Sequence, residues 1–168
     1  MATTTAANPT TTTWAIDPLH SEIQFKIKHL VISTVTGFFK SFQGSAVTVD
    51  DNFEDAVIDF VIDVDSIDTN QAQRDAHLKN SDFFEADKYP QIAFQSTAFK
   101  KLNEDQYKLT GNLTMKGVTK EVEVLAEYGG SQKDMYGNIK HGFEVTGTIN
   151  RKDFGLTYNA ITETGGLA

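Results

Sequence analysis

The chain predicts a single all-β domain, an antiparallel meander that either closes into a barrel or doubles over as a sandwich. Three observations predict it. Apolar and polar residues alternate strictly over most of the length, as half-buried strands require. Short polar turns separate the alternating runs. One stretch alone, near residues 70–85, abandons alternation for helical spacing.

Residues 1–13 are rich in Thr and Ala, lack positive charge and have no apolar segment, so they read as a disordered polar tail before a domain over 14–168. Trp14 to Asp17 opens a short strand. Ile23, Phe25 and Ile27 then alternate with Glu22, Gln24, Lys26 and Lys28. A loop is expected over Leu30–Thr36, then a strand from Gly37 through Phe42 and Gly44 to Val49, and a turn at Asp50-Asp51-Asn52. Ile58, Phe60, Ile62 and Val64 oppose Asp59, Asp63 and Asp65 on the next strand.

In the helical stretch Asn70 is placed to cap with Gln73, and Asp75 and Lys79 are spaced as an exposed supporting pair. Phe83-Phe84 follow, and Pro90 starts a new extended run. There Ile92, Phe94, Ser96 and Ala98 share a face. Beyond the Asn103-Glu104-Asp105 turn, Tyr107, Leu109, Gly111, Leu113 and Met115 share another. Lys116-Gly117 leads into Val122, Val124, Ala126 and Tyr128, and the last clear strand carries His141, Phe143, Val145 and Gly147. Seven or eight strands with one wet face are the outcome, and barrel closure would remove the exposed edges.

Composition narrows the function classes. A net charge of -8 and a pI near 4.9 argue against nucleic acid and anionic membrane surfaces as partners. With no cysteine, disulfides and thiolate metal sites are excluded. No apolar run reaches the roughly 20 residues of a membrane-spanning helix. The start has no secretion signal, so the expected location is cytoplasmic, or periplasmic if the native start differs.

Several blocks resemble one family. They are Trp14-x-Ile-Asp17-x-x-His20-Ser21-x-Ile-x-Phe25, Gly37-Phe38, Phe42-x-Gly44, Ser66-Ile67-Asp68-Thr69 and Arg74-Asp75-x-His77-Leu78. They continue with Asp82-Phe83-Phe84, Tyr89-Pro90-x-Ile92-x-Phe94, Gly111-x-Leu113-Thr114, Gly117-Val118-Thr119-Lys120 and Asn150-Arg151-x-Asp153-Phe154-Gly155. In this order they resemble the YceI-like, polyisoprenoid-binding proteins. The resemblance implies an extended lipocalin-like up-and-down barrel of about eight strands with a helical insertion. It also implies a non-catalytic carrier or storage role for a long isoprenoid, such as a polyprenyl lipid or a quinone tail, with no cofactor. The family adds a closing strand beyond the Gly-Gly region. This chain stops at Ala168, so either the sequence is truncated there or that strand is missing, and closure of the barrel is left open.

The residues give a ligand argument of their own. Ile23, Phe25, Ile27, Phe60, Ile62, Phe94, Leu113, Met115, Val124, Phe143 and Val145 hold the inward parity and are expected to line a continuous apolar tunnel, with Phe83 or Phe84 turned in from a helical cover at one end. Small inward residues, Ser96, Ala98, Gly111, Ala126 and Gly147, would leave room for a tail. A competing reading makes these phenylalanines plain core. A second alternative is a metal-dependent or histidine-based enzyme using His29, His77 or His141 at the barrel mouth. No carboxylate or thiolate recurs at ligand spacing, and no nucleophile elbow or phosphate loop is present, so metal sites and catalytic residues are expected to be none. A homodimer is left open.

Overall fold

The computed structural model describes residues 11–29, 33–49 and 52–156. The first ten residues of the expected tail, the start of the 30–36 loop, Asp50-Asp51 of the expected turn and the region of the closing strand after residue 156 lie outside the described residues.

Among the described residues, ten strands form two antiparallel sheets. Seven of them, β1 (Thr11–Ala15), β4 (Phe42–Val49), β5 (Asn52–Asp63), β7 (Gln91–Lys101), β8 (Gln106–Met115), β9 (Val118–Lys133) and β10 (Ile139–Thr146), lie side by side in that order and curl into a lipocalin-like half-barrel. The others, β2 (Ile23–His29), β3 (Ser33–Phe39) and the two-residue β6 (Ile67–Asp68), make a small second sheet. The first strand already begins at Thr11, so residues 11–13 belong to the sheet rather than to a tail: Thr11 pairs with Val49 and Trp14 with Ala46. Likewise β3 begins at Ser33, so the expected 30–36 loop gives way to strand before its end.

Register carries the inward parity across the sheet. Ile62 pairs with Ile92 and Phe60 with Phe94, while Gly44 faces Phe60 on the other side. One expectation fails at a bulge. Pairing between β7 and β8 slips between Ser96 and Ala98, and beyond it Phe99 pairs with Leu109 and is buried. Ala98 therefore leaves the inner face. The inserted residue reverses the side-chain sides downstream of it. At this point the backbone N–H of Ile58 donates to the Ser96 hydroxyl at 2.7 Å, one step beyond the last β5–β7 pair at Asp59 and Gln95. A second irregularity at Gly129, between the Tyr128–Phe143 and Gly130–Gly142 pairs, bends the long β9–β10 hairpin.

The core has two centres. The first gathers Phe39, Val64, Ile67, Leu78, Ala86, Ile92, Leu113 and Phe154, and so joins the small sheet, the helical segment and the large sheet. The second gathers Ala56, Phe99, Tyr107, Leu109 and Ala126. Phe94 packs against both.

The helical segment forms as expected, but its bonding differs. Helix α1 runs Ala72–Lys79 with Gln71 at its cap and no side-chain cap bond. Asn70 sits outside, in a left-handed conformation (φ 62°), so the Asn70–Gln73 capping box does not form. Asp75 accepts bonds from the Thr69 amide (2.8 Å) and hydroxyl (2.5 Å), and Lys79 approaches Asp65 at 3.9 Å. The predicted Asp75–Lys79 pair is replaced because a backbone N–H next to the helix start is the better partner for a carboxylate. Arg74 completes the clamp through the Thr69 hydroxyl (2.8 Å) and carbonyl (2.6 Å).

Candidate ligand-binding face

The concave side of the curl is built by alternation and then shaped by what alternation meets across each strand pair. Ile23 and Phe25 from β2, Ile62 from β5, Phe94 from β7 and Met115 from β8 pack against the first core centre yet stay half-buried. Val124 and Phe143 do the same against the second centre. Phe60 lies between, stacked on Phe42 at 5.9 Å between ring centroids. Leu113 is part of the buried core. Ile27 and Val145 are 41% and 52% exposed, so both lie at open margins of the face. From the helical segment, Phe83 and Phe84 both pack on the first centre, and Phe84 meets Phe39 edge-on at 6.1 Å.

Among the described residues the face is a trough rather than an enclosed tunnel. Strands β1 and β10 are the margins of the large sheet and share no backbone ladder. Side chains bridge them instead. Trp14 meets His141 edge-on at 4.7 Å, Phe53 meets His141 at 4.8 Å and Phe143 at 5.1 Å, and the Tyr128 hydroxyl lies 2.7 Å from His141 Nδ1. The indole N–H of Trp14 donates to the buried Thr48 hydroxyl at 2.9 Å. On the surface beside this seam, Lys140 bonds Asp17 at 2.5 Å and lies 3.9 Å from Asp134. The Lys140 and His20 hydrogen bonds hold the Asp17 carboxyl well below the ordinary aspartate range.

Three of the small residues expected to leave room do not, Gly111 among them, since the Phe94 ring and the Gln95 carbonyl fill the space beside it. Ala126 is only 1% exposed, packed inside the second core centre. A side chain at Gly147 would meet Val124 Cβ at 3.0 Å, so that space is taken. Sequence reasoning also missed Trp14, Phe53 and Tyr128 as seam residues. Their value arises only when distant strands meet, and no local spacing signals that.

The histidines are spoken for singly. His20 pairs with Asp17 at 2.7 Å, His77 with Asp82 at 2.9 Å, and His141 with Tyr128, while the side chain of His29 lies outside the described residues. No group of three His, Asp or Glu side chains comes together among the described residues, nor does any buried side-chain nitrogen or oxygen lack a partner. Charge sits on the convex side, as in the Lys108–Glu123 pair at 3.2 Å. An open hollow of about 460 Å³ beside the small sheet is lined by Thr36, Phe38, Lys40, Asp68, Thr69 and Asn70. Two of its walls, Lys40 and Asp68, are bonded to each other at 2.7 Å.

A profile of the YceI-like domain matches residues 14–167. The chain belongs to the YceI-like family. It is 43% identical to a UPF0312 protein of Pectobacterium carotovorum over 138 residues, 82% of this chain and 71% of that one. A UPF0312 protein of Yersinia pestis matches at the same identity and coverage. Among solved structures, a Campylobacter jejuni YCEI protein superposes with a TM-score of 0.70 at 38% identity, covering 83% of this chain and 82% of that chain. BcnA of Burkholderia cenocepacia superposes at 0.74 with 23% identity, covering 89% and 87%, which establishes the shared fold. The family blocks map onto the structure with a division of labour. Gly37 and Gly44 lie against the Phe25 and Phe60 rings of the trough, while Arg74-Asp75 clamps the helical cover to Thr69.

Proposed function

We propose that this YceI-like chain binds the hydrocarbon tail of a long isoprenoid, such as a polyprenyl lipid or a quinone, along the concave face, as a non-catalytic carrier or store. One observation carries the reading. Large apolar side chains inside the curl, Ile23, Phe25, Ile62, Phe94 and Met115, are only partly buried, although the residues they pack against are buried. An apolar face left incompletely covered along the curl is where a slender apolar guest would lie. Each five-carbon unit seated there releases about 4 kcal/mol before ordering costs, at about 0.8 kcal/mol per CH₂-sized group. A headgroup would remain in water at the open margin, so its chemistry would matter little to affinity.

The test is native mass spectrometry of protein purified from its own host, with organic extraction of the same sample. A co-purifying lipid with an isoprenoid tail at one per chain is expected. Protein that arrives empty and shows no saturable uptake of a fluorescent prenyl analogue would overturn the reading.

A further inference from the structure

Three inward phenylalanines share a peculiarity. A Cβ built on Gly37 would stand 2.7 and 2.9 Å from Cε1 and Cε2 of Phe25. One on Gly44 would stand 2.5 Å from Cδ2 of Phe60, and one on Gly111 2.7 Å from Cε2 of Phe94. Non-bonded carbons settle at about 3.5–4.0 Å, so each ring occupies the space that its neighbour's side chain would fill. Phe25–Gly37 and Phe60–Gly44 are direct cross-strand partners, while Phe94 pairs with Leu113 and reaches diagonally to Gly111. Side chains on strands ordinarily stand roughly perpendicular to the sheet. Here three rings, on three different strand pairs, lean over onto bare backbone instead.

The inside of the seven-stranded curl, with the small sheet beside it, is narrow enough for upright side chains to fill. Upright rings at 25, 60 and 94 would fill it. Laid over glycines, they become a flat apolar wall and leave the trough open. We propose that Gly37, Gly44 and Gly111 set the calibre of the binding face, and that this calibre selects a methyl-branched isoprenoid tail over a straight acyl chain. The inference rests on the isoprenoid reading and adds to it the residues that decide which hydrocarbon fits.

Alanine at Gly37 or Gly44 tests it, because neither glycine has a positive φ and the nearest atoms belong to a ring that can rotate, with the Asp59 carbonyl oxygen 3.3 Å from a Cβ at Gly44. Gly111 is unsuitable, since its Cβ would also strike the Gln95 carbonyl at 2.5 Å. The first readout needs no ligand. In the wild type the α-protons of Gly37 and Gly44 lie against the Phe25 and Phe60 rings and should resonate upfield of ordinary glycine, and loss of the Gly37 shift in Gly44→Ala is not expected. The second readout is the ratio of dissociation constants for a fluorescent geranylgeranyl probe and a straight-chain probe of equal length. Gly44→Ala, folded by circular dichroism, should weaken the branched probe about tenfold more than the straight one, a factor worth about 1.4 kcal/mol. Gly44→Ala/Phe60→Leu should recover the branched probe. Equal losses for both probes, no loss, or no recovery would overturn the proposal. Ordinary glycine shifts in the wild type would overturn it independently of any ligand. A wild type with shifted glycines that binds neither probe would overturn the isoprenoid reading, and the selectivity claim with it. Should Gly44→Ala not fold, Gly37→Ala carries the same comparison, because its three nearest atoms all belong to the Phe25 ring.

Discussion

Replacing Trp14 by alanine should cost far more than removing Lys140, although both join the margins of the curled sheet. The Asp17–Lys140 bond is short and strongly lowers the Asp17 pKa, but both groups face solvent, where screening leaves ion pairs little net worth. Trp14 is half-buried against Phe53 and His141. Truncating a fully buried Trp costs about 3–5 kcal/mol, so half of that is about 2. The lost ring contacts add roughly 0.5–1.5 kcal/mol. Losing the bond to the buried Thr48 hydroxyl adds about 1 kcal/mol more. The expected sum is about 4 kcal/mol, a fall of roughly 8–16 °C in Tm for a chain of this size. Urea unfolding followed by circular dichroism measures it, since Trp14 is the only tryptophan. Lys140→Met should leave the midpoint within scatter, and added salt should do the same. A Lys140→Met variant as unstable as Trp14→Ala would refute the claim that aromatic packing holds the seam.

Three further outcomes are expected. Phe84→Ala, which removes the edge contact to Phe39 in the first core centre, should lower unfolding free energy by about 2–3 kcal/mol in denaturant titration. Gly117→Ala should destabilise by more than about 1 kcal/mol, because φ is +74° and the new Cβ would meet Tyr89 Cε1 at 2.7 Å; a thermal midpoint at or above wild type would contradict this. The folded-state pKa values of Asp17 and Asp134 are depressed, so their stabilisation is present above the ordinary value of 3.8 and lost as pH falls through the folded values. Asp17→Asn should therefore shallow the acid limb of the stability profile below that pH and leave the neutral region nearly flat.

The strands were legible because each buries one face only, and that requirement writes itself into every second residue. Phe60 and Ile62, or Leu109 and Leu113, had no other face to occupy. What alternation cannot report is where it is interrupted. The bulge near Thr97 sends Phe99 inward and Ala98 outward, yet Ser96-Thr97-Ala98 contains nothing that marks an inserted residue. The helix was legible from its break in period, but its cap was not. Asn70 and Gln73 fit a capping pattern, and tertiary bonds from Thr69 to Asp75 overrode it. In the sequence, Gly111 and Gly147 read as small inward residues, and Gly37 and Gly44 as parts of the family blocks. Which ring approached each of them depended on register, and register is a property of two strands rather than one.

The contrast between two buried centres and the partly buried side chains between them has a thermodynamic consequence. Leu78, Ile92, Leu113 and Phe154 at one centre, and Phe99, Tyr107 and Ala126 at the other, are already buried, so a guest adds little there. Around Phe60 and Phe94 the apolar surface is incomplete, and a tail would complete it. A ligand that binds only the folded chain at about 100 times its Kd should stabilise by about 2.7 kcal/mol, or roughly 5–11 °C in Tm. Local opening need not respond evenly. Amides of β5 and β7 near Phe60 and Phe94 should gain the most protection in hydrogen exchange with a geranylgeranyl probe. Amides of α1 and of the turn around Phe154 should follow only the global gain. Protection rising first around α1 would place the guest under the helical cover instead, and the trough would then be no more than an imperfect core.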